Sequence, residues 1–257
     1  VTTVDMLALL REDLAQHNEG DTPRFATSIA PIVNVESDDV DALCAKTGWL
    51  RTIGHVDVSD PDTFHTTVSR KADIAAAAMI AHLVEAKKIL QRTSSLERDV
   101  PLLVWAPAVL VNPDAGEHSL ANLISPVLGL VEIARTVLIF DTIPTNSGET
   151  LRTIADRGVN IAVTAGAAAA ADSTDLYGWP RWGVVFPQHI IQGPNGVDSL
   201  MVQQTVSAIA GSDTKLIAVA DRSVHLRDLT SLHINFTMSP HGGEITSDSD
   251  LLHELNR

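Results

Sequence analysis

Asp57, Asp141 and Asp221 each lie at or beside the end of an apolar run, and carboxylate oxygens brought together from such ends could hold a hard divalent cation. No two of them are close in sequence, so their convergence depends on the fold. The competing role is to cap the following helices or to accept loop amides. The ten histidines are scattered and none forms H-E-x-x-H, so they read as solvated or core residues. Nothing beside Cys44, the single cysteine, marks it as a reactive thiolate. Ser125 and Ser199 lack the G-x-S-x-G setting of an exposed nucleophile. Trp179-Pro180-Arg181-Trp182 could form a binding surface, but Trp and Pro ahead of a buried strand read first as a packed turn.

Eight short apolar runs are available as strands to position the aspartates. They are residues 27–35, 50–58, 100–105, 136–141, 159–164, 183–186, 215–221 and 232–236. Several are near-continuous in Val, Ile and Leu, the pattern of strands buried on both faces of a parallel sheet. Between them lie helical windows over 70–91, 119–134, 145–156, 197–210 and 224–229, and the alanine-rich 165–171 is read as a short helix or a loop. Strands alternating with helices, about eight of them, predict an α/β fold closed as a TIM-like (β/α)8 barrel over residues 23–257. No G-x-G-x-x-G or G-x-x-x-x-G-K argues for an open doubly wound sheet. Ahead of the barrel, Leu7, Leu10 and Leu14 recur at helical spacing over 5–17. They predict an amphipathic N-terminal helix and linker over residues 1–22, packed on the barrel or on a second copy.

Composition narrows the function. At 257 residues with 45% hydrophobic content the chain can bury one sizeable core. A formal charge of −14 opposes a phosphate backbone, so no nucleic-acid partner is expected. No apolar run approaches the length that crosses a bilayer, and no membrane contact is expected of this chain. One cysteine and no signal-peptide pattern favour a cytoplasmic setting. A chain opening on Val1 leaves open an upstream membrane anchor or sensor.

Taken together, several segments resemble the EAL domain, the bacterial barrel that hydrolyses cyclic di-GMP. Ala30-Pro31-Ile32-Val33-Asn34 resembles the Q-P-I-V-D strand, and Thr47-Gly48-Trp49-Leu50-Arg51 is similar to E-A-L-L-R. Leu151, Ile154, Gly158 and Ile161-Ala162-Val163 follow the L-x-x-L-x-x-x-G-v-x-i-a-l run, which places Thr164-Ala165-Gly166-Ala167 on D-D-F-G. Pro180 then falls on the L-P proline, Val185-Phe186-Pro187 on K-I-D, Ala220-Asp221 on the start of A-E-G-V-E and His241-Gly242 on Q-G. The likeness runs from Ser28 to Gly243, weakest between Arg51 and Leu102, and it rests on preserved intervals more than on any one motif.

What the resemblance implies is largely negative. In the family, carboxylates and an asparagine from these motifs hold two metal ions that activate water for attack on phosphorus. The corresponding positions here carry Thr47, Ala106, Asp141, Thr164, Ala165 and Asp221, with Val185 for the K-I-D lysine, His241 for the Q-G glutamine and Ala30 for the Q-P-I-V glutamine. Two carboxylates remain, each one methylene shorter. No catalytic residue, metal or cofactor is therefore expected. Arg51, a phosphate contact in the family, stays with Asp141, Asp221 and His241 as a candidate ligand-binding residue, and a guanidinium can grip a phosphate through two parallel bonds. Retained cyclic di-GMP binding is the weaker expectation. The leading expectation is a regulatory or protein-interaction module in cyclic di-GMP-linked control, such as motility or flagellar assembly, with a protein partner or a second copy. Two alternatives stand beside it: an active phosphodiesterase using Asp57, Asp141 and Asp221, and an unrelated metal-dependent barrel lyase.

Overall fold

The computed structural model describes residues 25–49, 55–57, 72–170, 182–192, 197–208, 213–220, 226–244 and 248–255. The helix expected over 5–17, the boundary near residue 22, Arg51 and Asp221 lie outside the described residues.

The chain begins with a hairpin, where the sequence suggested a βα unit. Strand β1 (Phe25–Asn34) turns back at once into β2 (Val40–Trp49), paired antiparallel from Phe25↔Trp49 to Val33↔Val40 with an irregularity at Ile32/Val33. Asn34 makes the reversal: its Oδ1 accepts the amides of Glu36 at 2.9 Å and Ser37 at 3.2 Å, and its amide donates to Asp39 O at 2.9 Å. Asp38 then takes a left-handed φ of 62°, which a short polar side chain tolerates. The strand expected over 50–58 is thereby displaced. Its described part, β3 (His55–Asp57), lies outside the barrel ring.

From β2 onward the strands pair in parallel: β4 (Leu102–Trp105), β5 (Thr136–Phe140), β6 (Asn160–Thr164), β7 (Gly183–Phe186), β8 (Lys215–Val219) and β9 (Phe236–Met238). Strand β9 pairs antiparallel with β1 (Ile32↔Met238) and closes a ring of eight strands, β1, β2 and β4 to β9. The last run, expected over 232–236, starts its strand only at Phe236, because His233 reverses the chain with a φ of 61°. Beyond Met238 the chain continues along β1 as β10 (His241–Glu244), which takes β3 on its other side.

Around the ring run α1 (Ala72–Ser95), α2 (Leu120–Val127), α3 (Leu130–Arg135), α4 (Gly148–Asp156), α5 (Ala165–Ala170), α6 (Gln188–Ile191), α7 (Ser199–Ala208), α8 (Leu226–Ser231) and α9 (Asp248–Leu255). The single helical window expected over 119–134 is broken at Leu128–Gly129 into α2 and α3, and the alanine-rich segment forms α5. Alternate strand residues divide the core in two. Leu43, Val104, Phe140, Val163 and Phe186 join Met79, Leu83, Leu151 and Ile154 of the helices in the outer cluster. Ala30, Cys44, Trp105, Ile139, Ala162, Val185, Val219 and Met238 fill the interior. Both faces of the strands are therefore apolar, which is why their sequences show runs and not alternation.

Two cations anchor the N-terminal side of the ring. Lys215 Nζ stands over Trp182 at 5.2 Å and Phe236 at 4.6 Å from the ring centroids, and pairs with Asp41 at 2.5 Å. Arg135, 9% exposed, reaches the end of α1 and donates to the carbonyls of Leu90, Arg98 and Val100 and to the hydroxyls of Thr93 and Ser94.

Candidate functional site

Barrels of this type present reactive groups at the C-terminal ends of their strands. Because β1 runs against its neighbours, its Ser28 end shares that mouth with the ends of β2 and β4 to β9. The described ends of β4 to β9 lead into Ala106, Asp141, Thr164, Pro187, Ala220 and Ser239, among which Asp141 is the one ionisable side chain. No group of three or more His, Cys, Asp or Glu that could hold a metal occurs among the described residues.

Asp141 follows β5 directly and is half-buried. Loss of solvent holds its carboxyl above the ordinary carboxylate value. Hydrogen bonds from its own amide and from the amide and hydroxyl of Thr142 only partly offset that effect. Thr142 Oγ1 lies 3.4 Å from Asp141 Oδ1. Across the ladder, Thr164 Oγ1 donates to the Asp141 carbonyl at 3.1 Å and accepts the Ala167 amide at 3.3 Å, capping α5. The hydroxyl thus fastens β5 to β6 and starts the helix where the family motif would carry carboxylates.

A carboxyl whose folded pKa exceeds its unfolded one opposes folding when ionised, and the penalty disappears as pH falls through the folded value toward 3.8. Asp141→Asn should therefore match or exceed the parent in stability at pH 7, with the difference closing at pH 4 in urea titrations. A parent clearly more stable than the variant at pH 7 would mean that the carboxylate is held by a cation.

The other candidate residues are not gathered around Asp141. His241 opens β10 and stands opposite Asp57 of β3, on the far side of the ring from β5. Asp57, expected at the end of a ring strand, is therefore not on one. Thr47 pairs with Thr27; on β2 Leu43 and Ala45 pack outward and the interior position is Cys44, opposite Ala30. Val185 is fully buried in the interior, where the motif would place a lysine. A two-metal clamp needs several anionic ligands at short range, and the described strand ends do not fit that requirement.

Sequence reasoning passed over Ser28 and Trp105. Both are on interior positions of the mouth, 1% and 2% exposed, and neither Ser28 Oγ nor Trp105 Nε1 has a hydrogen-bond partner. A tryptophan inside a strand run looks like core, and nothing local reveals an unmet donor.

No family profile matches the chain, and no curated protein sequence does. Solved structures do. The PaMucR phosphodiesterase in its c-di-GMP complex is similar with a TM-score of 0.67 at 15% identity, over 84% of this chain and 93% of that one. EAL enzyme Bd1971 with cAMP and cyclic di-GMP bound gives 0.69 at 14% identity, over 98% and 69%. An EAL-domain protein from Listeria monocytogenes EGD-e gives 0.63 at 11% identity, over 100% and 98%. In fold, the chain is an EAL-type barrel.

Proposed function

We propose that this barrel does not hydrolyse cyclic di-GMP and acts as a regulatory or protein-interaction module in cyclic di-GMP-linked signalling. The observation that carries the reading is the chemistry of the mouth: one half-buried carboxylate, Asp141, among the described ends of β4 to β9, with a fully buried Val185 on β7. Burial raises its pKa, and the hydrogen bonds from its own amide and from Thr142 offset that only in part. A protein partner is supported by Leu130 and Val131, adjacent on α3 and 84% and 68% exposed. A cytoplasmic setting belongs to the same reading; no helix among the described residues is long and apolar enough to cross a membrane.

The solved neighbours favour a second reading, because one is a phosphodiesterase and another an EAL enzyme with cyclic di-GMP bound. Turnover separates the two. Incubated with cyclic di-GMP and Mg²⁺ or Mn²⁺, the purified chain should yield no linear dinucleotide above a control without protein. Product formation abolished by Asp141→Asn would establish an active site with a divergent metal set.

A further inference from the structure

Outside the ring, α3 presents an apolar surface on a fixed support. Leu128 and Gly129 stop α2 in extended backbone, and α3 starts afresh. The restart buries Ile133 and Arg135 and leaves Leu130, Val131 and Ala134 exposed. Side chains of α1 hold the break from both sides. Lys87 Nζ donates to the Val127 carbonyl at 2.9 Å, and Gln91 Nε2 donates to Glu132 Oε1 at 3.2 Å. Glu132 folds back over the start of α3, so that a Cβ on Gly129 would lie 2.6 Å from its Oε2. Two large aliphatic side chains held out in this way leave little ordering for a partner to impose, which favours binding.

Charge and chain length select the partner. Residues 85–99 and 130–135 hold five Lys and Arg against four Asp and Glu, in a chain of −14 overall. Two such chains repel each other, and a face where cations balance carboxylates lets them meet at little cost. The same chain supplies a matching surface: Leu7, Leu10 and Leu14 recur at helical spacing over residues 5–17, with Asp5, Glu12 and Asp13 against Arg11. That stripe is badly placed for its own α3. Strand β1 starts at the mouth, whereas α3 leads into the start of β5, at the other end of the ring and three strand steps away. Residues 15–24 span at most about 35 Å when fully extended. The path needs about 17 Å along β5 and about 14 Å round the strands, more at the helix layer, with α1, packed on β2 and β4, in the way. A second copy meets no such limit. We propose that two copies of this chain pair reciprocally, each laying the leucine stripe of its N-terminal segment on Leu130 and Val131 of the other. This names the partner for the interaction-module reading and rests on it.

The test follows the full chain by sedimentation over a concentration series, with melting temperatures at the dilute end as the check on folding. The parent should pass from monomer to dimer. Leu130→Ser/Val131→Ser and Leu7→Ser/Leu10→Ser should each weaken the dimer at least about tenfold, the scale of one large aliphatic side chain left unburied. Mixed in equal amounts, the two variants keep one intact contact per pair, so the mixture should dimerise more tightly than either alone. A parent that stays monomeric, a dimer indifferent to both variants, or a mixture no tighter than its components overturns the proposal. Leu7→Ser/Leu10→Ser decides alone should the other variant lose its fold. Turnover of cyclic di-GMP is scored separately: product formed by a dimer overturns the non-catalytic reading alone, whereas a monomer without product overturns this pairing alone.

Discussion

Replacing Arg135 by leucine should lower the unfolding free energy by about 3–5 kcal/mol, the usual cost of removing one side of a buried charged network. The side chain ties the end of α1 and the segment that follows it to the end of α3. Its guanidinium donates to Leu90 O at 3.1 Å, Arg98 O at 3.2 Å and Val100 O at 2.9 Å, and to Thr93 Oγ1 at 2.7 Å. Nε lies 2.8 Å from Asp99, an ion pair without the alignment of a hydrogen bond. Asp99 itself is 88% exposed, so that pair adds little and the buried carbonyls carry the effect. They include the end of α1, where a cation also meets the negative pole of the helix. Leucine fills part of the space and leaves those carbonyls unmet. Lysine keeps the charge but lacks the planar five-donor fork, so Arg135→Lys should fall between the two. Equilibrium denaturation in urea measures all three. A leucine variant within about 1 kcal/mol of the parent, the scale of one ordinary hydrogen bond, would show that water replaces the guanidinium.

Phe140→Ala should cost about 3–5 kcal/mol, the range for emptying a buried aromatic site. For a chain of this size that lowers the melting temperature by roughly 10 °C. Phe140 ends β5, is fully buried, and belongs to the cluster between the ring and its helices. Parallel strands on both sides fix its backbone, through Leu138↔Ile161 and Ile139↔Ala162 on one edge and Trp105↔Ile139 on the other, so collapse into the cavity is restricted. Phe140→Leu keeps most of the volume and should cost less than about 1.5 kcal/mol. Equal melting temperatures for the alanine variant and the parent would contradict the packing described.

The ring strands from β4 to β8 were legible because each is buried on both faces and must be apolar along its length. Runs such as Val137-Leu138-Ile139-Phe140 and Ile161-Ala162-Val163 follow from that requirement. The hairpin was not legible. Val40–Trp49 contains Ala42, Cys44, Ala45 and Gly48, small residues with low strand propensity, which become strand because β1 and β4 lie beside them. Its signal was the Asn34-to-Asp39 turn chemistry, in which Asn34 accepts two amides. At the site, Asp141 was legible as a carboxylate after an apolar run, whereas the gathering of Asp57, Asp141 and Asp221 was an assumption. Strand order places Asp57 on β3, away from β5.

By itself, the sequence determined the α/β class, the positions of most ring strands and helices, and which motif positions lack carboxylates. These are local properties: residue type, apolar run length and spacing are read along the chain. The tertiary structure alone decided the reversed direction of β1, the place of β3 outside the ring on β10, and the row that joins Glu244, Ser28, Lys46 and Trp105. Pairing between strands depends on which edges meet when the ring closes, and residues from the two ends of the chain meet there. The unpaired state of Ser28 Oγ and Trp105 Nε1 belongs to the same level, since a hydrogen bond is satisfied or not only by what the folded chain brings within reach.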